Sequence, residues 1–190
     1  LNETYYDRNY LQLIPKYEGL LGILPYLHHK NPKSAFSVGY GGGYSTDVLT
    51  SLPIPFVHVA EIESSVLEAA DFIYKGNNPI LKRPNLKLEI EDARFVMNSK
   101  KYTPYDIIIS QPSHSWISGV ANLFTLEFFE TVKSNLSKGG IFAQWLNLYN
   151  MDLQSLKSIL STYYSVFPHG AIYTDEADYQ IILLGSQSPL

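Results

Sequence analysis

Short apolar runs alternate with amphipathic stretches along the whole chain. Ala35-Phe36-Ser37-Val38, Phe56-Val57-His58-Val59-Ala60 and Ile107-Ile108-Ile109 within residues 105–110 read as buried strands. Leu86-Lys87-Leu88-Glu89-Ile90 alternates apolar and polar, which predicts a half-buried strand, and residues 140–146 predict a fifth. Between them lie helical patterns. Residues 11–29 place Leu13, Ile14, Tyr17, Leu20, Leu21, Leu24 and Leu27 on one face, with a break expected near Pro25. Residues 45–52 predict a short helix stopped by Pro53, and residues 64–74 a helix with Ser64 as N-cap, ended by Gly76-Asn77-Asn78-Pro79. A helical turn at 92–98, a long helix at 122–136 and a helix at 152–164 capped by Asp152 follow. Residues 166–173 and 179–184 are too closely connected for a crossover, so they predict an antiparallel closing pair.

Strands alternating with helices specify an α/β chain: a Rossmann-like three-layer sandwich with a mostly parallel sheet and an antiparallel closing strand. No repeat, linker or low-complexity segment interrupts residues 1–190, which predicts one domain. At 45% hydrophobic and 17% charged residues the composition is globular. A net charge of −4 disfavours a nucleic-acid partner. Without cysteine, disulfides and thiolate chemistry are excluded. Apolar runs fall well short of the ~20 residues a membrane span needs, so no membrane segment is expected. Leu1-Asn2-Glu3-Thr4 lacks the basic-then-apolar order of a signal peptide, and a cytoplasmic location is expected. Neither terminus reads as a natural end, which suggests a piece of something longer.

The candidate chemistry begins at Val38-Gly39-Tyr40-Gly41-Gly42-Gly43-Tyr44, between a strand and a helix. Gly39, Gly41 and Gly43 let the backbone turn tightly and let a ligand lie against bare amides. A ligand-free βα turn would use the same residues. Glu61 closes the next strand about 20 residues later, where an acidic side chain can take both hydroxyls of a ribose. Asp92, in Glu91-Asp92-Ala93, follows the third strand and could accept from an adenine amino group. Two carboxylates on successive strand ends, with a G-x-G-x-G turn, favour a nucleoside with a sulfonium tail over a dinucleotide.

These segments resemble the spermidine synthase family, in particular a divergent branch often fused to membrane-spanning segments. The resemblance is carried by the glycine turn, by Val59-Ala60-Glu61-Ile62-Glu63 and by Glu91-Asp92-Ala93-Arg94-Phe95. It extends through Tyr105-Asp106-Ile107-Ile108-Ile109-Ser110-Gln111-Pro112-Ser113, Gly119-Val120-Ala121-Asn122-Leu123-Phe124-Thr125 and Gln144-Trp145-Leu146-Asn147-Leu148-Tyr149. It implies a methyltransferase-type fold that binds S-adenosylmethionine or its decarboxylated form as substrate and transfers an aminopropyl group to a small-molecule amine. On that resemblance Glu61 holds the ribose, Asp92 the adenine amino group and the glycine turn the methionine-derived tail. Ile62, Ala93 and Ser110 complete the nucleoside site. It also implies a homodimer, and a place as the cytoplasmic domain of a larger membrane-fused protein.

The sequence departs from the family pattern where the amine should bind. In place of an Asp-Ser-Ser-Asp-Pro type segment stands Gln111-Pro112-Ser113-His114-Ser115, so both acidic positions are replaced. Gly42 stands near the place of an Asp in the glycine turn, and at most residues 1–12 replace an N-terminal β segment. Burying a dication without carboxylates costs several kcal/mol. His114 is the one residue of that loop able to serve as a general base near neutral pH, although a lone His in a polar loop is more often a solvated surface residue. Gln111 can bond an acceptor without ionising, or cap the strand. Trp116 can wall the pocket or simply pack. No cluster has metal-ligand spacing, so no metal is expected. Ser113 lacks the context of a hydrolase nucleophile. Three readings stay open: an aminopropyl transferase, a methyltransferase, and a catalytically silent nucleoside-binding domain.

Overall fold

The computed structural model describes residues 16–102, 104–112, 119–149, 151–174 and 179–190. Seven strands form one sheet in the order β3-β2-β1-β4-β5-β7-β6. They are β1 (Ser34–Val38), β2 (Phe56–Glu61), β3 (Leu86–Ile90), β4 (Tyr105–Ser110), β5 (Leu136–Asn147), β6 (His169–Thr174) and β7 (Gln180–Ser186). The pairings from β3 across to β5 are parallel, and β7 runs antiparallel to both β5 and β6. The helices are α1 (Lys16–His28), α2 (Tyr44–Ser51), α3 (Ser64–Ile73), α4 (Ala93–Ser99), α5 (Leu126–Asn135) and α6 (Leu153–Val166).

Alternation along the strands decides the layers. Ala35, Ile107, Ile109, Ile141 and Ala143 pack with Leu21, Leu24, Leu49 and Ala70, so α1, α2 and α3 cover one face. Phe36, Ile108, Phe142 and Leu183 pack with Val96, Met97, Phe129 and Tyr163, so α4, α5 and α6 cover the other. Both faces of the central strands are buried, which is why Ile107-Ile108-Ile109 is apolar without a break. The chain winds outward from β1 to β3, then jumps to β4 on the other side of β1. The carboxyl ends of β1 and β4 therefore flank the point where the winding reverses, the place where open α/β sheets hold ligands.

Several boundaries differ from the sequence expectation. No break occurs at Pro25: α1 runs through it to His28. One missing N–H is a smaller loss than unpacking Tyr17, Leu21 and Leu24, which are buried on the same helix. Glu63 and not Ser64 caps α3, its carboxylate accepting from the Ser65 amide. The long helix expected at 122–136 divides into a short 3-10 helix, Val120–Phe124, and α5, because Thr125 is extended and its hydroxyl accepts from the Phe128 amide. Strand β5 begins at Leu136, with a register irregularity against β4 before Ile141. Residue 166, expected in a strand, is instead the last of α6, which Asp152 caps as expected. The antiparallel closing strand is β7, and it lies inside the sheet with β6 outside it.

Candidate functional site

At the end of β1 the ladder continues one step, with the Gly39 amide donating to Ala60 O at 2.8 Å. The chain then turns through Gly39, Gly41 and Gly43, whose φ values are +87°, +54° and +82°. Gly43 caps α2, whose first amides have no side-chain partner at the cap. A Cβ at Gly41 would meet nothing within 4 Å among the described residues. A Cβ at Gly43 would instead lie 2.7 Å from the Tyr40 hydroxyl. Tyr40 turns its ring under the loop, where its hydroxyl accepts from Asn78 Nδ2 at 2.8 Å. Burial raises that phenol to about 12.

Glu61, 5% exposed, folds its carboxylate against this turn. Oε2 accepts from the Tyr40 amide at 2.7 Å and Oε1 from the Glu63 amide at 3.0 Å. A carboxylate has about four lone-pair positions, so roughly two remain for hydroxyl donors. Ile62, next along the chain, is 68% exposed, an apolar side chain offered at the rim.

The end of β3 is tied to the same place. Glu61 pairs with Ile90 in register, and the Glu91 amide donates to Glu61 O at 2.9 Å. Asp92 follows directly. It caps α4, accepting from the Arg94 amide at 2.8 Å, and it is gripped by the Arg94 guanidinium, with Nη2 2.6 Å from Oδ2. Hydrogen bonding from the Arg94 side chain, chiefly, holds Asp92 below the usual carboxylate range, so it is ionised at neutral pH. Ala93 opens α4 and is buried. The two carboxylates thus occupy adjacent strand ends on one rim. The grip of Arg94 is absent from the sequence reading, although an Arg two residues after a capping Asp is its signal.

Ser110 ends β4 opposite Val38 on one side and Gln144 on the other. Its hydroxyl is buried without a hydrogen-bond partner among the described residues, and so is Gln144 Oε1, while Gln144 Nε2 donates to Trp145 O at 3.1 Å. Unpaired polar atoms in a core cost about 1–3 kcal/mol each, and these two lie on register partners of neighbouring strands. Gln111 is half-buried, with Ser45 Oγ 3.1 Å from its Oε1. Tyr40, Ser45 and Gln144 are not candidates by sequence pattern alone. Ser113, His114 and Trp116 lie outside the described residues.

A hollow of about 400 Å³ abuts the outer side of Arg94, lined also by Asn98, Asn122 and Thr125. A larger one, about 740 Å³, lies away from the glycine turn around Lys133, Leu136 and Gly139, at the start of β5. Among the described residues no three His, Asp or Glu side chains are grouped to hold a metal ion, and no helix is long and apolar enough to cross a membrane.

The family model described as "Spermine/spermidine synthase domain" matches residues 15–175. A spermidine synthase of Dictyostelium discoideum is 25% identical over 154 residues, covering 80% of this chain and 54% of its own length. A spermidine synthase solved in complex with the transition-state analogue AdoDATO superposes with a TM-score of 0.76 at 21% identity, over 90% of this chain and 59% of its own. Human methyltransferase-like protein 13 in complex with SAH superposes at 0.70 with 25% identity, over 91% and 80%. The chain spans about half the length of the curated relatives it matches.

Proposed function

The chain belongs to the spermine/spermidine synthase domain family, and from that premise we propose that it is a transferase taking S-adenosylmethionine or its decarboxylated form as donor. The carrying observation is the rim itself: a carboxylate with free lone pairs laid on the glycine turn that leaves β1 beside the reversal of winding, one strand from an ionised Asp92. Glu61 accepts from the ribose hydroxyls and Asp92 from the adenine amino group. Ile62 and Ala93 flank the base, and the amides after Gly39, Gly41 and Gly43 face the donor's tail. Ser110 supplies a buried hydroxyl beside it. In the transfer, the acceptor nitrogen's lone pair forms a bond to the carbon next to the sulfonium. The carbon–sulfur bond breaks, its electron pair neutralises sulfur, and the nitrogen's surplus proton leaves to His114 or to water. On the family pattern Gln111 and His114 take the sequence positions of the acids that hold the acceptor. The chain's own contribution is to hold donor and acceptor in line.

Calorimetry with methylthioadenosine tests the donor site. Wild-type protein is expected to bind, and Glu61→Gln and Asp92→Asn each to weaken binding about tenfold or more, the loss of one charge-assisted hydrogen bond of 1.5–3 kcal/mol. Equal affinity in all three sinks the assignment. The likeness to a human methyltransferase at 25% identity keeps a second reading, methyl transfer. Mass spectrometry of products separates them, since an aminopropyl group adds far more mass than a methyl.

A further inference from the structure

Arg94 carries more donors than Asp92 takes up. Nε lies 3.1 Å from Asp92 Oδ1 and Nη2 2.6 Å from Oδ2, so the carboxylate occupies one edge of the guanidinium. The other edge, made of Nη1 and the second N–H of Nη2, has no partner among the described residues. Two parallel N–H groups so spaced match the two oxygens of another carboxylate. Arg94 lines the hollow of about 400 Å³ between α4 and α5, and Asp92 does not, so the hollow meets the edge that Asp92 leaves free. Asn98, one helical turn further along α4, lines the hollow beside Arg94. Its amide makes no hydrogen bond among the described residues. The α4 wall therefore donates. The α5 wall accepts. Glu127 and Thr131, again one turn apart, line the same hollow. The Glu127 carboxylate is unpaired among the described residues. Thr131 Oγ1 spends its proton on Glu127 O at 2.8 Å, which leaves it only lone pairs to offer.

We propose that this hollow is a second ligand site, for a free amino acid held as a zwitterion. Its carboxylate takes the open edge of Arg94 and the Asn98 amide, and its ammonium takes Glu127 and Thr131. Charge decides the class. Asp92 already balances Arg94, so Glu127 leaves the surroundings of the hollow negative, and a simple anion is repelled. A simple cation leaves the Arg94 edge unused. One molecule bearing both charges satisfies both walls. Asn122, which also lines the hollow, presents an unpartnered amide with donors and an acceptor, and this fits an uncharged polar side chain. The volume lies in the range of about 300–1,000 Å³ usual for small-molecule sites. Neither the glycine turn nor Glu61 lines it, so the proposal stands apart from the transferase reading.

Titration of the full-length protein with L-glutamine, followed by NMR at pH 7, tests this. One saturable site is expected, with a Kd of about 1 mM or tighter. N-acetyl-L-glutamine keeps the carboxylate and loses the ammonium, and L-glutaminamide does the reverse. Each is expected to bind about tenfold or more weakly than L-glutamine. Two variants then assign the walls. Arg94→Gln should weaken L-glutamine about tenfold and leave L-glutaminamide unchanged. Glu127→Gln should weaken L-glutamine and leave N-acetyl-L-glutamine unchanged. Absence of saturable binding to the wild type overturns the site. Either analogue binding as tightly as L-glutamine overturns the zwitterion. A folded variant that weakens all three ligands alike, or none, overturns the role of its wall. Should a variant fail to fold, the three ligands on the wild type still decide the case. Methylthioadenosine added to the same samples reports on the donor rim alone, so either reading can fail without the other.

Discussion

Single residues show how strongly burial can govern chemistry in this fold. His58 is wholly buried in β2, edge-on to Phe36 and Tyr102, with Nδ1 2.7 Å from the Tyr105 hydroxyl. Burial drives its imidazole down to about 4, against a small upward pull from Glu89 at 3.7 Å. The folded state therefore keeps His58 neutral, whereas the unfolded chain protonates it near its ordinary 6.5. Stability from this residue is complete above about pH 6.5 and drains away as pH falls toward 4, by roughly 3 kcal/mol in all. Urea denaturation at pH 7 and pH 4.5 is expected to show the loss. His58→Phe should flatten that interval, after a fixed cost of about 1 kcal/mol for the stranded Tyr105 hydroxyl. A variant as pH-sensitive as the wild type assigns the effect to other groups. Asp92 and Asp106 also hold lowered values, so their contributions are lost at lower pH than that of His58.

At the scale of elements, the glycine turn separates conformation from space. Gly41 and Gly43 both have positive φ, yet among the described residues only Gly43 of the two has a neighbour where a side chain would go. Gly41→Ala is expected to cost about 1 kcal/mol, the penalty of a left-handed backbone. Gly43→Ala should cost at least twice that, since Tyr40 must also give way and with it the Asn78 bond. Equal losses in chemical denaturation would mean the loop relaxes freely. The sequence made this turn legible because glycine is the residue such a backbone selects. It did not reveal which glycine is crowded, since Tyr40 could equally have pointed outward. Helix ends were less legible for a related reason. Ser64 and Glu63 are both able to cap α3, and the choice rests on which side chain meets a free amide.

For the whole molecule, the sheet joins because β7 inserts between β5 and β6. Gly185 of β7 sits where an added Cβ would fall 2.6 Å from Phe167 Cβ and 2.7 Å from the Tyr163 hydroxyl. That hydroxyl also bonds Phe142 O and Leu183 O, bridging β5 and β7. Gly185→Ala is expected to lower stability by about 2–3 kcal/mol through overpacking, read as a shift in the urea midpoint. No shift would show the α6 face to be loosely packed. Gly185 carries no mark in the sequence, since nothing local says which ring crosses it.

What the chain determined alone was local and periodic: apolar alternation that buries strands on two faces, glycines where the backbone must turn left-handed, and acids at successive strand ends. Those follow from sterics and solvation within a few residues, so order along the chain is enough to read them. Only the tertiary structure decided that β7 lies inside the sheet, that Arg94 holds Asp92, and that the Ser45 hydroxyl meets both Glu18 and Gln111. Each depends on which distant segments become neighbours, and that is settled by the packing of the whole core.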